Sequence, residues 1–151
     1  MQRRLVVSQA GVPKEVFSTS GYVRLLGWSD NSQELFAGVQ VEKELNDPAL
    51  VELWRLPLDG RSKEIVKELP SAYLPSLLLA PNSKQVAFVA RQNEMDNVHL
   101  VSLETKSRRP LTANTSETVN LSGLTWARKQ NLLCYIKQSN AVSIWMIENF
   151  K

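Results

Sequence analysis

Residues 80–91, APNSKQVAFVAR, read as a tight turn followed by a strand. Proline presets the backbone angle that such a turn needs, and Asn and Ser side chains bond the local backbone, so Pro81, Asn82 and Ser83 suit the turn. Lys84 leaves toward water, and Val86-Ala87-Phe88 opens a run rich in the branched and aromatic residues that favour strands. One such hairpin would say little about the fold. A recurring one decides it.

The hairpin recurs. Laying GWSDNSQELFAG (27–38) over LLAPNSKQVAFV (78–89) pairs Asn31-Ser32 with Asn82-Ser83 and matches the apolar positions that follow. TWARKQNLLCYI (125–136) fits the same frame, with Trp126 opposite Trp28 and Tyr135 opposite Phe88, but its turn has lost the Asn-Ser pair. A second register relates RRLVVSQAGVPKEVF (3–17) to ELWRLPLDGRSKEIV (52–66), bringing Gly11 to Gly60 and Lys14-Glu15 to Lys63-Glu64. VHLVSLETKSRRPL (98–111) shares that register, and SIWMIENF (143–150) covers its first half.

The interval is about 50 residues with four short strands to each unit, and such units bury their faces only by stacking on one another. Four-stranded sheets set radially about an axis form a β-propeller. The expectation is an all-β, single-domain β-propeller segment of four-stranded antiparallel blades over residues 1–151. Its parts are a partial blade holding third and fourth strands at 3–18, blades at 22–67 and 74–112, and an incomplete three-stranded blade at 121–148. Together they make about three and a third blades. No amphipathic helix of about ten residues is legible. The stretch from Val41 to Leu53 contains Asn46-Asp47 and Pro48, so it is expected to be a loop holding at most one helical turn.

Composition narrows the function classes. Of 151 residues, 43% are hydrophobic and 22% charged, the balance of an ordinary soluble domain. A net charge of +3 from 18 basic and 15 acidic residues, with Arg3-Arg4 and Lys106 to Arg109 as the densest basic runs, gives no nucleic-acid footprint. Both runs read as solvated edges or turns. No stretch approaches the about 18 apolar residues of a membrane span. Two arginines followed only by Leu5-Val6-Val7 do not make a signal peptide. The single cysteine, Cys134, excludes an internal disulfide and lies in an apolar run, which predicts a small buried side chain.

Catalytic chemistry finds little support. A hydrolase triad needs a nucleophile, a base and an orienting acid. The only histidine, His99, sits mid-strand at the position that Trp54 and Trp145 hold in other units, and reads as a packing residue. There is no Gly-x-Ser-x-Gly elbow and no glycine-rich phosphate loop. Glu94, Asp96 and Asn97 offer oxygen ligands but lack calcium-loop spacing, so a solvated loop is expected there and no metal or cofactor. Trp28 and Trp126 close first strands while Trp54 and Trp145 match on third strands; that regularity favours packing over a ligand platform. Loops carry propeller function more than strands do. The longest, 40–52, holds Glu42, Glu44, Asp47 and Glu52 against Lys43 in a mildly basic chain. As a candidate partner-binding loop it suits a basic or polar partner; otherwise it is a tolerated surface insertion.

These units resemble the TolB-like (WD-repeat-like) β-propeller repeat. The resemblance rests on Ala80-Pro81-Asn82-Ser83-Lys84 before Val86-Ala87-Phe88, and on a third strand ending Leu56-Pro57-Leu58-Asp59-Gly60. SIWMIENF is similar to the terminal strand of propellers in bacterial multi-domain regulators and kinases. The departure is Arg128-Lys129-Gln130, a turn without Pro, Asp or Gly. The resemblance implies a non-catalytic module for protein interaction or ligand sensing, within a larger bacterial signalling or envelope protein, and a periplasmic or extracytoplasmic site. The alternative it implies, second to that reading, is the propeller portion of a prolyl-oligopeptidase-like hydrolase that gates substrate access. Relatives of this kind have six or more blades, so unpaired edges here call for completion. The completion is expected from the rest of a larger propeller, or from a homodimer in which a partner's 14–18 segment finishes the last blade of a six-bladed ring.

Overall fold

A computed structural model describes residues 1–41, 49–139 and 142–147. Thirteen strands form four sheets among these residues, and every pairing is antiparallel. The first sheet pairs β1 (Arg3–Gln9) with β2 (Val12–Thr19). The second runs in order β3 (Tyr22–Trp28), β4 (Glu34–Val41), β5 (Leu50–Pro57) and β6 (Glu64–Pro70). The third holds β7 (Leu78–Leu79), β8 (Gln85–Gln92), β9 (Met95–Ser102) and β10 (Arg108–Pro110). The fourth holds β11 (Asn120–Trp126), β12 (Leu133–Gln138) and β13 (Val142–Ile147). This is an all-β row of propeller sheets, open at both ends, with one 3-10 turn at Leu74–Ser76.

The loop expected from Val41 to Leu53 is shorter than its composition implies. β4 runs through Val41 and β5 begins at Leu50, because Val51 and Leu53 are drawn fully out of water against the third sheet. Residues 42–48 lie outside the described part. Gly11 and Gly60, matched in sequence, both adopt positive φ (80° and 90°) in the turns between third and fourth strands, where a side chain would strain the backbone.

Period-two alternation sends successive side chains to opposite faces, so each inner sheet feeds two cores. Leu35, Ala37 and Val39 of β4 face the first sheet and meet Leu5, Val16 and Phe17. Phe36 faces the third sheet and joins Val51, Leu53, Val86, Phe88 and Val101. Ala87, Val89, Val98 and Leu100 face the fourth sheet, against Leu121, Leu133 and Tyr135. One cross-strand position shows how the gaps between sheets are filled: Ala37 pairs with Trp54, Phe88 with His99, and Tyr135 with Trp145. Where the second strand carries a small residue, the third carries a large one. Trp54 fills its gap by packing on Phe17 at 5.1 Å between ring centroids, whereas Phe88 does the filling in the third sheet and leaves room only for an imidazole.

Gly38 marks the tightest approach between these layers. A Cβ there would lie 2.7 Å from Leu77 Cδ2 and 3.0 Å from Leu74 Cδ1. Leu77 is fully buried, so its methyl group would have to be displaced within the core. Gly38→Val is therefore expected to lower stability by about 1–3 kcal/mol through overpacking. Urea unfolding of the two proteins checks this, and an unchanged midpoint would show that the 74–77 segment moves freely.

The row ends in uncovered apolar faces. Ile144 is 80% and Met146 54% exposed on the outer side of the fourth sheet, beside Ile136. Cys134 shares that side, so it is half-buried instead of buried as expected. At the other end Leu25 is 57% exposed on β3, and Val6 projects from β1. No strand lies against the second edge of β1 among the described residues.

Candidate functional site

The acidic loop residues divide between strand and undescribed chain. Glu42, Glu44 and Asp47 lie outside the described residues. Glu52 stands within β5, half-buried, where its Oε2 accepts the indole N–H of Trp54 at 2.8 Å. The fourth acid is thus tied to the packing of the Trp54 ring.

His99 is 6% exposed and stacks on Phe88 at 5.6 Å. Its Nδ1 accepts a hydrogen bond from Arg108 Nε at 3.3 Å, which places the imidazole proton on Nε2. Burial, and then the neighbouring guanidinium, push its pKa down to about 4. Arg108 lies 5.1 Å from the Phe88 ring centroid, and burial lowers its own pKa. Its run was expected to be a solvated turn; the stacking surface of Phe88 draws this arginine inward. No hydroxyl or thiol is bonded to His99 among the described residues, so the geometry is that of a packed, neutral imidazole.

The predicted solvated loop around Glu94 is corrected at Asp96. Only Asn93 and Glu94 form the turn, both at positive φ, and Met95–Ser102 is strand. Asp96 is buried; its Oδ2 accepts the Leu121 N–H at 3.2 Å and its Oδ1 lies 3.4 Å from Arg91 Nη1. A carboxylate bonded in this way ties the third sheet to the fourth. The tryptophans also split. Trp54 packs as expected, while Trp28 is 41% exposed because the first sheet that it faces has only two strands, and Trp145 is 49% exposed on β13, the edge strand of the fourth sheet.

The turns between first and second strands all lie at one end of the row, opposite the end that holds Val41 and Leu50, because strands alternate in direction. In the second and third sheets they share one build. Ser32 N–H donates to Ser29 O and Ser83 N–H to Ala80 O, both at 2.9 Å. Ser32 and Ser83 sit at φ 57° and 53°. Asn31 and Asn82 each accept the backbone N–H two residues on, through Oδ1. The fourth sheet keeps the outer closure, Ala127 N–H to Leu132 O at 3.0 Å, matching Ser29 with Glu34 and Ala80 with Gln85. Its turn carries Arg128, Lys129 and Gln130 where the others carry Asp or Pro, then Asn and a left-handed Ser, and all three side chains stand exposed.

That difference shapes the clefts between sheets at this end. Between the second and third sheets, charge is balanced: Arg55 meets Glu64 at 2.8 Å and Glu34 at 3.6 Å, and donates to Leu103 O at 3.0 Å. Arg61 bridges Glu34 at 3.0 Å and Asp59 at 2.7 Å, and its backbone N–H, followed by this side-chain bond, holds the Asp59 carboxyl below its usual range. Between the third and fourth sheets lies a cleft of about 480 Å³. Trp126 forms its wall, Asn82 and Gln85 face it from one turn, and Arg128, Lys129 and Gln130 from the other; no acidic residue lines it. Trp126 occupies the position of Leu79 in the third sheet, and its indole N–H reaches Leu78 O at 3.4 Å. Reading the repeats for resemblance passed over this feature. Its signal was the departure itself, two cations where the other turns carry Asp-Asn and Pro-Asn.

Comparison with known proteins bears on the fold. TolB from Acinetobacter baumannii matches 96% of this chain with a TM-score of 0.68 at 12% identity. A putative TolB from Agrobacterium tumefaciens matches 91% of it at a TM-score of 0.55 and 9% identity. Acylaminoacyl peptidase from Pyrococcus horikoshii matches 77% of it at a TM-score of 0.54 and 17% identity. The chain covers 35% of the Acinetobacter TolB, 62% of the Agrobacterium protein and 17% of the peptidase. No family model and no curated protein sequence matches it. The architecture is that of a TolB-like β-propeller segment.

Proposed function

We propose that this chain is a non-catalytic β-propeller module for protein interaction or ligand sensing, working as part of a larger propeller. The observation that carries this reading is the pair of apolar ends, Ile136, Ile144 and Met146 on one side and Val6 and Leu25 on the other. Exposed apolar surface of that kind marks contact with another folded surface. As one segment with divisions at 3–18, 22–67, 74–112 and 121–148, the chain presents third and fourth strands at its head and three strands at its tail. A second copy, or further propeller sheets, would cover both ends. Exchange of a partner's β2 alone is the costlier route, since β2 pairs with β1 from Val12 to Thr19 and buries Val16 and Phe17.

Multi-angle light scattering is the test. The chain is expected to self-associate as its concentration rises, and Ile144→Glu with Met146→Glu to return it to a monomer. A compact, stable monomer at every concentration would sink the second-copy version. Glu42, Glu44, Asp47 and Glu52 remain the candidate contacts for a basic or polar partner. Replacing residues 42–49 with a short Gly-Ser turn is expected to weaken that partner at least tenfold without lowering the unfolding midpoint; unchanged binding rejects the loop. The other reading, a propeller that gates a prolyl-oligopeptidase-like hydrolase, draws on the likeness to the Pyrococcus peptidase. Labelling of the natural full-length protein by a serine-directed fluorophosphonate would favour it.

A further inference from the structure

We infer that the cleft between the third and fourth sheets binds an acidic peptide segment. A carboxylate sits between Arg128 and Lys129, and an adjoining apolar side chain lies on the Trp126 indole. The inference rests on the reading of the chain as an interaction module and names one of its surfaces. Three observations converge on it. The cleft carries two cations with no ion pair to either among the described residues, while the neighbouring cleft spends its cations on Glu34, Asp59 and Glu64. Its wall is an indole where the third sheet has a leucine, and a flat aromatic surface accepts both apolar side chains and peptide planes. Gln85 and Gln130 supply amides that donate to and accept from a peptide backbone, and Asn82, whose Oδ1 is held by the Lys84 N–H, offers its Nδ2 as a donor.

The charge pattern selects the ligand. A ligand carboxylate between Arg128 and Lys129 meets no acid lining the cleft, and the arginine fork matches its two oxygens. A basic peptide would bring like charge to both cations. The residue types at this turn make the cation pair available: an Asn-Ser pair at 129–130 would present short, uncharged side chains of the kind that bond their own backbone at Asn31 and Asn82.

The test uses the whole chain and an eight-residue peptide of alternating glutamate and leucine, with alternating lysine and leucine as its counterpart. Binding is read from the indole N–H signals in an NMR titration. The acidic peptide is expected to bind saturably and move the Trp126 signal, and the lysine peptide not to bind. Arg128→Glu with Lys129→Glu is expected to weaken binding at least tenfold. Trp126→Leu, which copies Leu79 of the third sheet, is expected to weaken it several-fold, with far-UV circular dichroism showing that the variant remains folded at the titration temperature. Equal affinity in the charge-reversed variant overturns the inference, as does equal affinity for the lysine peptide. Binding of free glutamate as tightly as the peptide overturns it too, leaving a simple anion site. Peptide binding that survives charge reversal but is lost with the 42–49 exchange overturns the cleft and leaves the module reading intact.

Discussion

Phe88→Ala is expected to remove about 3–5 kcal/mol of stability, the range for emptying an aromatic site in a closely packed core. Phe88 is fully buried and packs in one cluster with Phe36, Leu53, Val86 and Val101. It belongs to the third sheet but fills the gap to the second, so its loss opens a cavity between the two sheets. Its ring also stacks on His99 and lies beneath the Arg108 guanidinium, leaving both over the cavity. In a domain of this size the thermal midpoint should fall by roughly 10 °C. Val12→Ala is the comparison, since Val12 is largely exposed on β2 and its truncation should change stability by less than about 0.5 kcal/mol. A loss below about 1 kcal/mol for Phe88→Ala would mean that the two sheets are not packed as described.

The second large effect is acid sensitivity from His99. Its folded pKa is about 4 against 6.5 for an unhindered imidazole. Above pH 6.5 both folded and unfolded chains carry the neutral ring and this stability is fully present. As pH falls from 6.5 toward 4 the unfolded chain takes up the proton and the folded chain does not, so stability is lost through that window and levels off below it. The shift corresponds to about 2–3 kcal/mol between pH 7.5 and pH 4.5. Arg108, bonded to the ring, reinforces the direction; Lys67 and Glu68 of β6, opposite in charge, line the neighbouring cleft beside Arg108. Carboxylates also titrate in this range, so the measurement is a difference. His99→Phe should lose about 2–3 kcal/mol less than the parent chain over the same interval. Parallel pH profiles for the two proteins would show that the imidazole is reached by water or protonated in the fold.

The turn at Ala80 to Lys84 carried the repeat into view, because a bonded turn is a local affair. Asn82 bonds the backbone two residues on, Ser83 takes the left-handed angle, and both choices are visible as residue types. The matching of Trp54, His99 and Trp145 was equally legible, since strand period alone decides which face a residue takes. What a face meets is another matter. Asp96 looked like a loop acid until its carboxylate was found bonded to the Leu121 N–H, twenty-five residues away. The clefts at the end of the row were invisible for the same reason, each being built from two turns about 50 residues apart.

Sequence by itself determined the four-strand unit, its about 50-residue interval and the alternation of each strand, because turns and strand period are set by neighbours along the chain. Only the tertiary structure decided which faces are covered. Phe88 is sealed because the second sheet lies over it, and Ile144 is bare because no described sheet lies beyond the fourth. Burial is a property of two surfaces, and one stretch of sequence specifies only its own.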